Sequence, residues 1–151
     1  MQHFKVLNSK EVKELNKMIL SNWGCELETE CAFLKSSRDK IYLISRDITQ
    51  IDVSKIRIDV VGLYIGELQD NRFRISIEGS QLIGPTATKN LVEVSEDDMR
   101  SWLKGNDIPN NSNFHGDVIL KHKTDFIGCG SAGAEIIKNF VPKNRRILAS
   151  D

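Results

Sequence analysis

Between Glu135 and Asp151 the chain carries no acidic residue, while Lys138, Lys143, Arg145 and Arg146 fall within nine positions. Four cations on one edge can neutralise several phosphates, so this spacing offers polyanion binding whose affinity falls steeply as salt rises. The competing reading is a solvated terminal strand that its charges keep soluble. Phe140, beside the cluster, can stack on a base or belong to the core. A second basic patch, Lys121-His122-Lys123, closes the apolar run DVIL, where a hairpin tip could touch a nucleic-acid backbone or simply be solvated. Arg72 and Arg74 alternate with apolar residues and form a third candidate, the alternative being cross-strand ion pairs with Glu67 or Glu78.

Patterns that would carry catalysis or hold a cofactor are weaker. Gly128, Gly130 and Gly133 spell G-x-G-x-x-G after an apolar run, the signature in which glycines admit a pyrophosphate to a helix N-terminus. That signature requires a following helix, a second parallel strand and an acidic residue further on. Here eighteen residues follow Gly133, Pro142 interrupts them, and KNRRILAS is basic where the acid belongs. The glycines are read instead as strand residues that bend a curved sheet or admit close packing. No nucleophile stands with a base and an orienting acid, and Glu96, Asp97 and Asp98 suit the first turn of a helix, where negative charge complements the dipole. His115 and His122 have no carboxylate or cysteine at ligand spacing, so no metal site is expected. Cys25, Cys31 and Cys129 fit neither a disulfide framework nor a zinc site and are expected as reduced, buried thiols. The residues thus point to a binding factor without cofactor or metal, and not to an enzyme.

The elements that must position these groups follow from local pattern. Asn8 with Glu11 forms a capping box, Val12, Leu15, Ile19 and Trp23 recur at helical spacing, and Gly24 is placed to end the helix. KSSRDK reads as a turn before a strand at Ile41–Ile44, and Ile56, Ile58 and Val60 alternate as a further strand. VVGLYIG is apolar on both faces, as a central strand is. Asp70 and Asn71 predict a hairpin turn, and Phe73, Ile75 and Ile77 then alternate with polar neighbours. GPTATKN, rich in turn formers, marks a boundary near Lys89. Beyond it come a strand in NLVEVS, a helix capped by Ser95 with Asp98 and closed by Gly105, and short apolar runs in DVILKH, FIGCG, AEIIKNF and RRILAS at the spacing of a compact barrel.

With 151 residues the chain is long enough to bury its own core, and 21 basic side chains balance 21 acidic ones. Affinity for nucleic acid must therefore come from local clustering of charge. No stretch has the apolar length of a membrane span or the build of a leader, so a cytoplasmic protein is expected, nucleolar in a eukaryote.

NLVEVSEDDMRSWLKGNDI, GDVILKHKTDFIGCGSA and IIKNFVPKNRRI together resemble the PUA domain, named for pseudouridine synthases and archaeosine transglycosylases. The resemblance implies a helix ending in a glycine turn, here Lys104-Gly105-Asn106-Asp107, and a pseudobarrel whose helix-side groove grips RNA. Further upstream, VVGLYIGELQDNRFRISIEGSQLIGPTATKNLVEV, followed by SWLKGNDI, is similar to the Nip-seven family of large-ribosomal-subunit assembly factors, and KNFVPKNRR resembles its archaeal members. That likeness implies an α+β protein: an N-terminal α/β domain with an antiparallel sheet over residues 1–89, joined to a PUA domain over 90–151. It implies a role in ribosomal RNA maturation, with RNA held by Lys138, Lys143, Arg145 and Arg146, assisted by Lys104, Gly105 and Lys121. Protein partners would meet the N-terminal half, and no cofactor is implied. Two alternatives stand beside it: a protein-interaction adaptor with a scaffold PUA domain, and an accessory RNA-binding subunit of an RNA-modifying enzyme.

Overall fold

The computed structural model describes residues 3–50 and 62–148. Strand β1 (Phe4–Val6) leads into helix α1 (Ser9–Trp23), whose Asn8 side chain accepts from the Glu11 amide at 2.9 Å while Glu11 accepts from the Asn8 amide at 3.2 Å. Gly24, at φ 70°, ends the helix as the sequence implied. Strands β2 (Ala32–Ser36), β3 (Lys40–Ile44), β4 (Leu63–Gln69) and β5 (Arg72–Ile75) complete an antiparallel sheet in the order β1-β2-β3-β4-β5. Leu15, Ile19 and Trp23 of α1 bury against Phe33, Ile41, Ile65 and Phe73 of this sheet.

Two expectations change here, and a third goes untested. Lys35 and Ser36, read as turn, belong to β2, a strand buried at four of its five positions and therefore without alternation. The strand expected through Ile77 stops at Ile75, because the Ser76 hydroxyl accepts from the Gly79 amide at 2.9 Å and starts helix α2 (Ile77–Ile83). The strand expected at Ile56–Val60 lies outside the described residues.

The second half forms a curled, half-barrel sheet from β6 (Leu91–Glu93), β7 (Ile108–Pro109), β8 (Gly116–His122), β9 (Asp125–Ala132) and β10 (Ile136–Asn139), in the order β6-β8-β9-β10-β7. Within this sheet β6 pairs with β8 in parallel, and the other described pairings are antiparallel. Helix α3 (Glu96–Leu103), capped by Ser95, closes the sheet with Trp102 buried at its centre. The fold class is thus the α+β arrangement expected. RRILAS forms no strand in its described part; Lys143–Arg145 is a single 3₁₀ turn.

The glycines of the G-x-G-x-x-G pattern sit on β9 and the turn into antiparallel β10, where a dinucleotide fold would place a helix. A Cβ at Gly130 would stand 2.5 Å from Trp102 Cη2 and 2.8 Å from the Lys138 carbonyl, so the missing side chain serves close packing.

The two halves share apolar surface. Ile119 of β8 and Cys129 of β9 lie in the same core as α1 and the first sheet, and α2 packs along β9. The segment between the halves is pinned: the Thr88 amide donates to the Trp23 carbonyl at 2.8 Å, Lys89 Nζ to the Ser21 carbonyl at 3.0 Å, and the Ile119 amide to the Asn90 carbonyl at 2.8 Å.

All three cysteines are free; Cys129 is buried as expected, whereas Cys25 and Cys31 are only half-buried, at the edge of the first core. Burial first, then the Asp117 charge, pushes its thiol up to about 12. The native protein at pH 8 is expected to react with a chromogenic thiol reagent at Cys25 and Cys31, and at Cys129 only after denaturation. Because the folded thiol ionises above an ordinary unfolded thiol, stability is complete below about pH 8.5 and declines above it, by up to about 1.4 kcal/mol per pH unit, until the folded thiol itself ionises. Cys129→Ala should flatten that decline in alkaline melts; an unchanged profile would refute the linkage.

Candidate nucleic-acid interface

The basic segment is built by the exit of β10. Ile137 points into the second core while Lys138 is exposed, and Asn139 then fixes the chain with its side chain. Asn139 Nδ2 donates to the Trp102 carbonyl at 2.7 Å and the Asn106 carbonyl at 2.8 Å, and Oδ1 accepts from the Val141 amide at 2.7 Å. Val141 is buried, Pro142 cannot continue a ladder, and the 3₁₀ turn that follows gathers Lys143, Arg145 and Arg146. The Ile147 amide returns to the Leu103 carbonyl at 2.9 Å, closing the segment onto the end of α3.

This segment forms one wall of a cleft of about 550 Å³; the opposite wall comes from β3, β4, β5 and the start of α2. Lys143, Arg145 and Arg146 meet Lys40, Tyr64 and Arg74 across it, with Glu67 and Glu78 as its two carboxylates. Five cations therefore converge in a chain of zero net charge. The Arg74 guanidinium lies 4.4 Å from the centroid of the Phe140 ring, a cation–π stack between the halves. Arg145 pairs with Glu78. Tyr64 has its hydroxyl pushed up to about 12, by burial and then by the Glu67 charge.

The ion pairs differ from those expected. Arg72 reaches Asp117 of β8 at 2.5 Å, clasping the two sheets, and the carboxylate is only 6% exposed. Glu78 takes Arg145 in place of Arg72 or Arg74, because α2 turns it away from β5 toward the terminal segment.

Of the residues singled out in the sequence, Arg74, Phe140, Lys143, Arg145 and Arg146 come together at the cleft. Gly105, at φ 96°, leaves room for the Arg146 side chain, whose Cδ would lie 2.4 Å from a Cβ there. Lys138, Lys104 and Lys121 do not line it: Lys138 is exposed on β10, Lys104 is exposed at the end of α3, and Lys121 lies on β8 with Nζ 5.6 Å from the Phe126 ring centroid. Lys40 and Tyr64 were not anticipated; only sheet closure brings them beside residues 140–146, and no local pattern signals it. Among the described residues no three His, Cys, Asp or Glu side chains gather where they could hold a metal, and no helix is long and apolar enough to cross a membrane.

The second half, a curled β-sheet closed by one short helix that ends in a glycine turn with a basic segment returning beside it, carries a PUA-like domain. Residues 89–147 match the family model described as the methyltransferase RsmF PUA domain. The likeness runs through both halves: the chain is 25% identical over 141 residues to the ribosomal RNA small subunit methyltransferase F of Aeromonas salmonicida, covering 93% of this chain and 29% of that protein. The protein of the same name from Vibrio parahaemolyticus is 25% identical over 146 residues, with 93% and 30% covered. That of Vibrio cholerae is 21% identical over 141 residues, with 93% and 29% covered. The chain therefore spans less than a third of the length of these relatives.

These relatives correct one expectation and narrow another. A non-enzymatic protein was expected, and the relatives are named as enzymes. The PUA part of the sequence resemblance holds, whereas the comparisons lead to small-subunit RNA methyltransferases and not to the Nip-seven assembly factors or an archaeal form.

Proposed function

We propose that this chain is the RNA-holding part of an enzyme that methylates ribosomal RNA, gripping the RNA in the cleft between its halves while methyl transfer proceeds at a methyltransferase centre joined to it in one polypeptide or one complex. The observation that carries this reading is the gathering of five cations from both halves into one cleft of a chain with no net charge. Likeness to ribosomal RNA methyltransferases over 93% of the chain supports it, and the relatives' names favour small-subunit RNA over the large-subunit RNA of the assembly-factor resemblance. Residues 1–89 and 90–151 act together, because each supplies one wall of the site. Lys143, Arg145 and Arg146 hold phosphates in the cleft, and Lys138, Lys121 and Lys104 extend the contact over the outer surface.

The test is a titration of the full chain with a small-subunit ribosomal RNA transcript across a range of salt. Each phosphate contact contributes about 0.7–0.9 to the slope of log affinity against log salt. Replacing Lys143, Arg145 and Arg146 together by glutamine should flatten that slope by about two units and weaken binding at every salt concentration, with melting temperature checked in parallel. An unchanged slope in a folded triple variant would overturn the assignment.

A further inference from the structure

Resting on that RNA-binding reading, we infer that the cleft takes single-stranded RNA, with one unpaired base stacked on the Arg74–Phe140 pair and its flanking phosphates on the cations of the terminal segment. The first argument is size. A recess of about 550 Å³ has the scale of a small-ligand pocket, room for a nucleotide or two. Double-stranded RNA is recognised by shape and by backbone contacts spread along its surface, and a walled recess cannot receive it.

The second argument is the stack already present. Arg74 lies against Phe140 at 4.4 Å from the ring centroid, so a flat guanidinium is braced by an aromatic ring where the two walls meet. Unpaired bases stack on aromatic rings and on Arg planes, whatever their sequence. A base laid on Arg74 would continue the stack.

The third argument is the pattern of charge. Glu67 lies between Lys40 and Arg74 in the β3–β4 and β4–β5 registers and lines the cleft, and among the described residues its side chain makes no hydrogen bond or ion pair. A free carboxylate repels a phosphate and accepts from the amino group of a base. The Tyr64 hydroxyl, also on the wall, is likewise without a hydrogen-bond partner among the described residues. The wall formed by β4 and β5 therefore suits a base edge, and the wall carrying Lys143, Arg145 and Arg146 suits the backbone.

The full chain would be titrated with an unstructured RNA strand of about 12 nucleotides carrying 2-aminopurine at its centre, and with the duplex of the same sequence. The single strand is expected to bind about tenfold more tightly than the duplex, with aminopurine fluorescence quenched by stacking. Phe140→Ala should lose about tenfold in affinity and most of the quench while the salt slope stays unchanged, since no phosphate contact is removed. Phe140→Tyr keeps the ring and should retain both, which separates loss of stacking from loss of fold. A duplex that binds as tightly as the strand, or binding without quench, overturns the inference and leaves the RNA-binding reading standing. Failure of both probes to bind overturns the reading itself.

Discussion

A fragment spanning residues 90–151 is expected not to fold cooperatively by itself, although it contains every strand of the second sheet. Ile119 is fully buried and Cys129 is 4% exposed, yet both face the core built by α1 and the first sheet. Phe126 packs on the same cluster, directly over Gly84. Uncovering Ile119, Phe126 and Cys129 together forfeits about 5 kcal/mol of apolar burial, at roughly 1.5–3 kcal/mol for each large side chain. A domain of about 60 residues has little more than that to lose. The severed Arg72–Asp117 clasp would add a carboxylate that has lost its guanidinium. Circular dichroism melts decide the matter: a sharp transition in the fragment close to that of the full chain would sink the prediction. The expected result, a broad or absent transition, would mean that RNA-binding measurements on the isolated PUA-like half say little about the intact site.

What the sequence disclosed was what its local chemistry encoded. Helix α1 was legible because Asn8, Glu11, the Leu15-Ile19-Trp23 stripe and Gly24 all act within one element. Helix α2 was not, because Arg72–Ile75 sets up an alternation that Ile77 continues on paper, while a serine cap one position earlier has already turned the chain. Strand β2 escaped notice for the opposite reason: buried on both faces, it offers no period to read. The site divided in the same way. Lys143, Arg145 and Arg146 sit on one turn and announced themselves. Lys40 and Tyr64, about a hundred and about eighty positions upstream, reach the cleft only because the first sheet docks on the second. The kinship with methylating enzymes was invisible to residue chemistry, since it is carried by likeness spread thinly along the chain and not by any motif.

Trp102 should be the most sensitive single position of the second half. Its indole is fully buried in the second core, Nε1 donates to the Ile127 carbonyl at 3.2 Å, and its own carbonyl receives both the Gly105 amide and Asn139 Nδ2. Trp102→Ala removes a large core side chain and orphans the Ile127 carbonyl, at a cost of about 3–5 kcal/mol, which lowers the melting temperature on the order of 10 °C. RNA affinity should fall with it, because Asn139 hangs the basic segment from the end of α3. Gly130 sharpens the test. A Cβ there would meet Trp102 Cη2 at 2.5 Å, so Gly130→Ala is expected to be destabilising in the native background. Phenylalanine lacks that Cη2 atom, so Gly130→Ala should cost about 1 kcal/mol less when Trp102→Phe is already present. Part of the penalty persists even then, because the Lys138 carbonyl at 2.8 Å is backbone and cannot swing aside. Denaturant melts of the two single variants and the double variant measure the coupling. Strict additivity would show that the indole and the glycine do not constrain each other, and that β9 curls for some reason other than this contact.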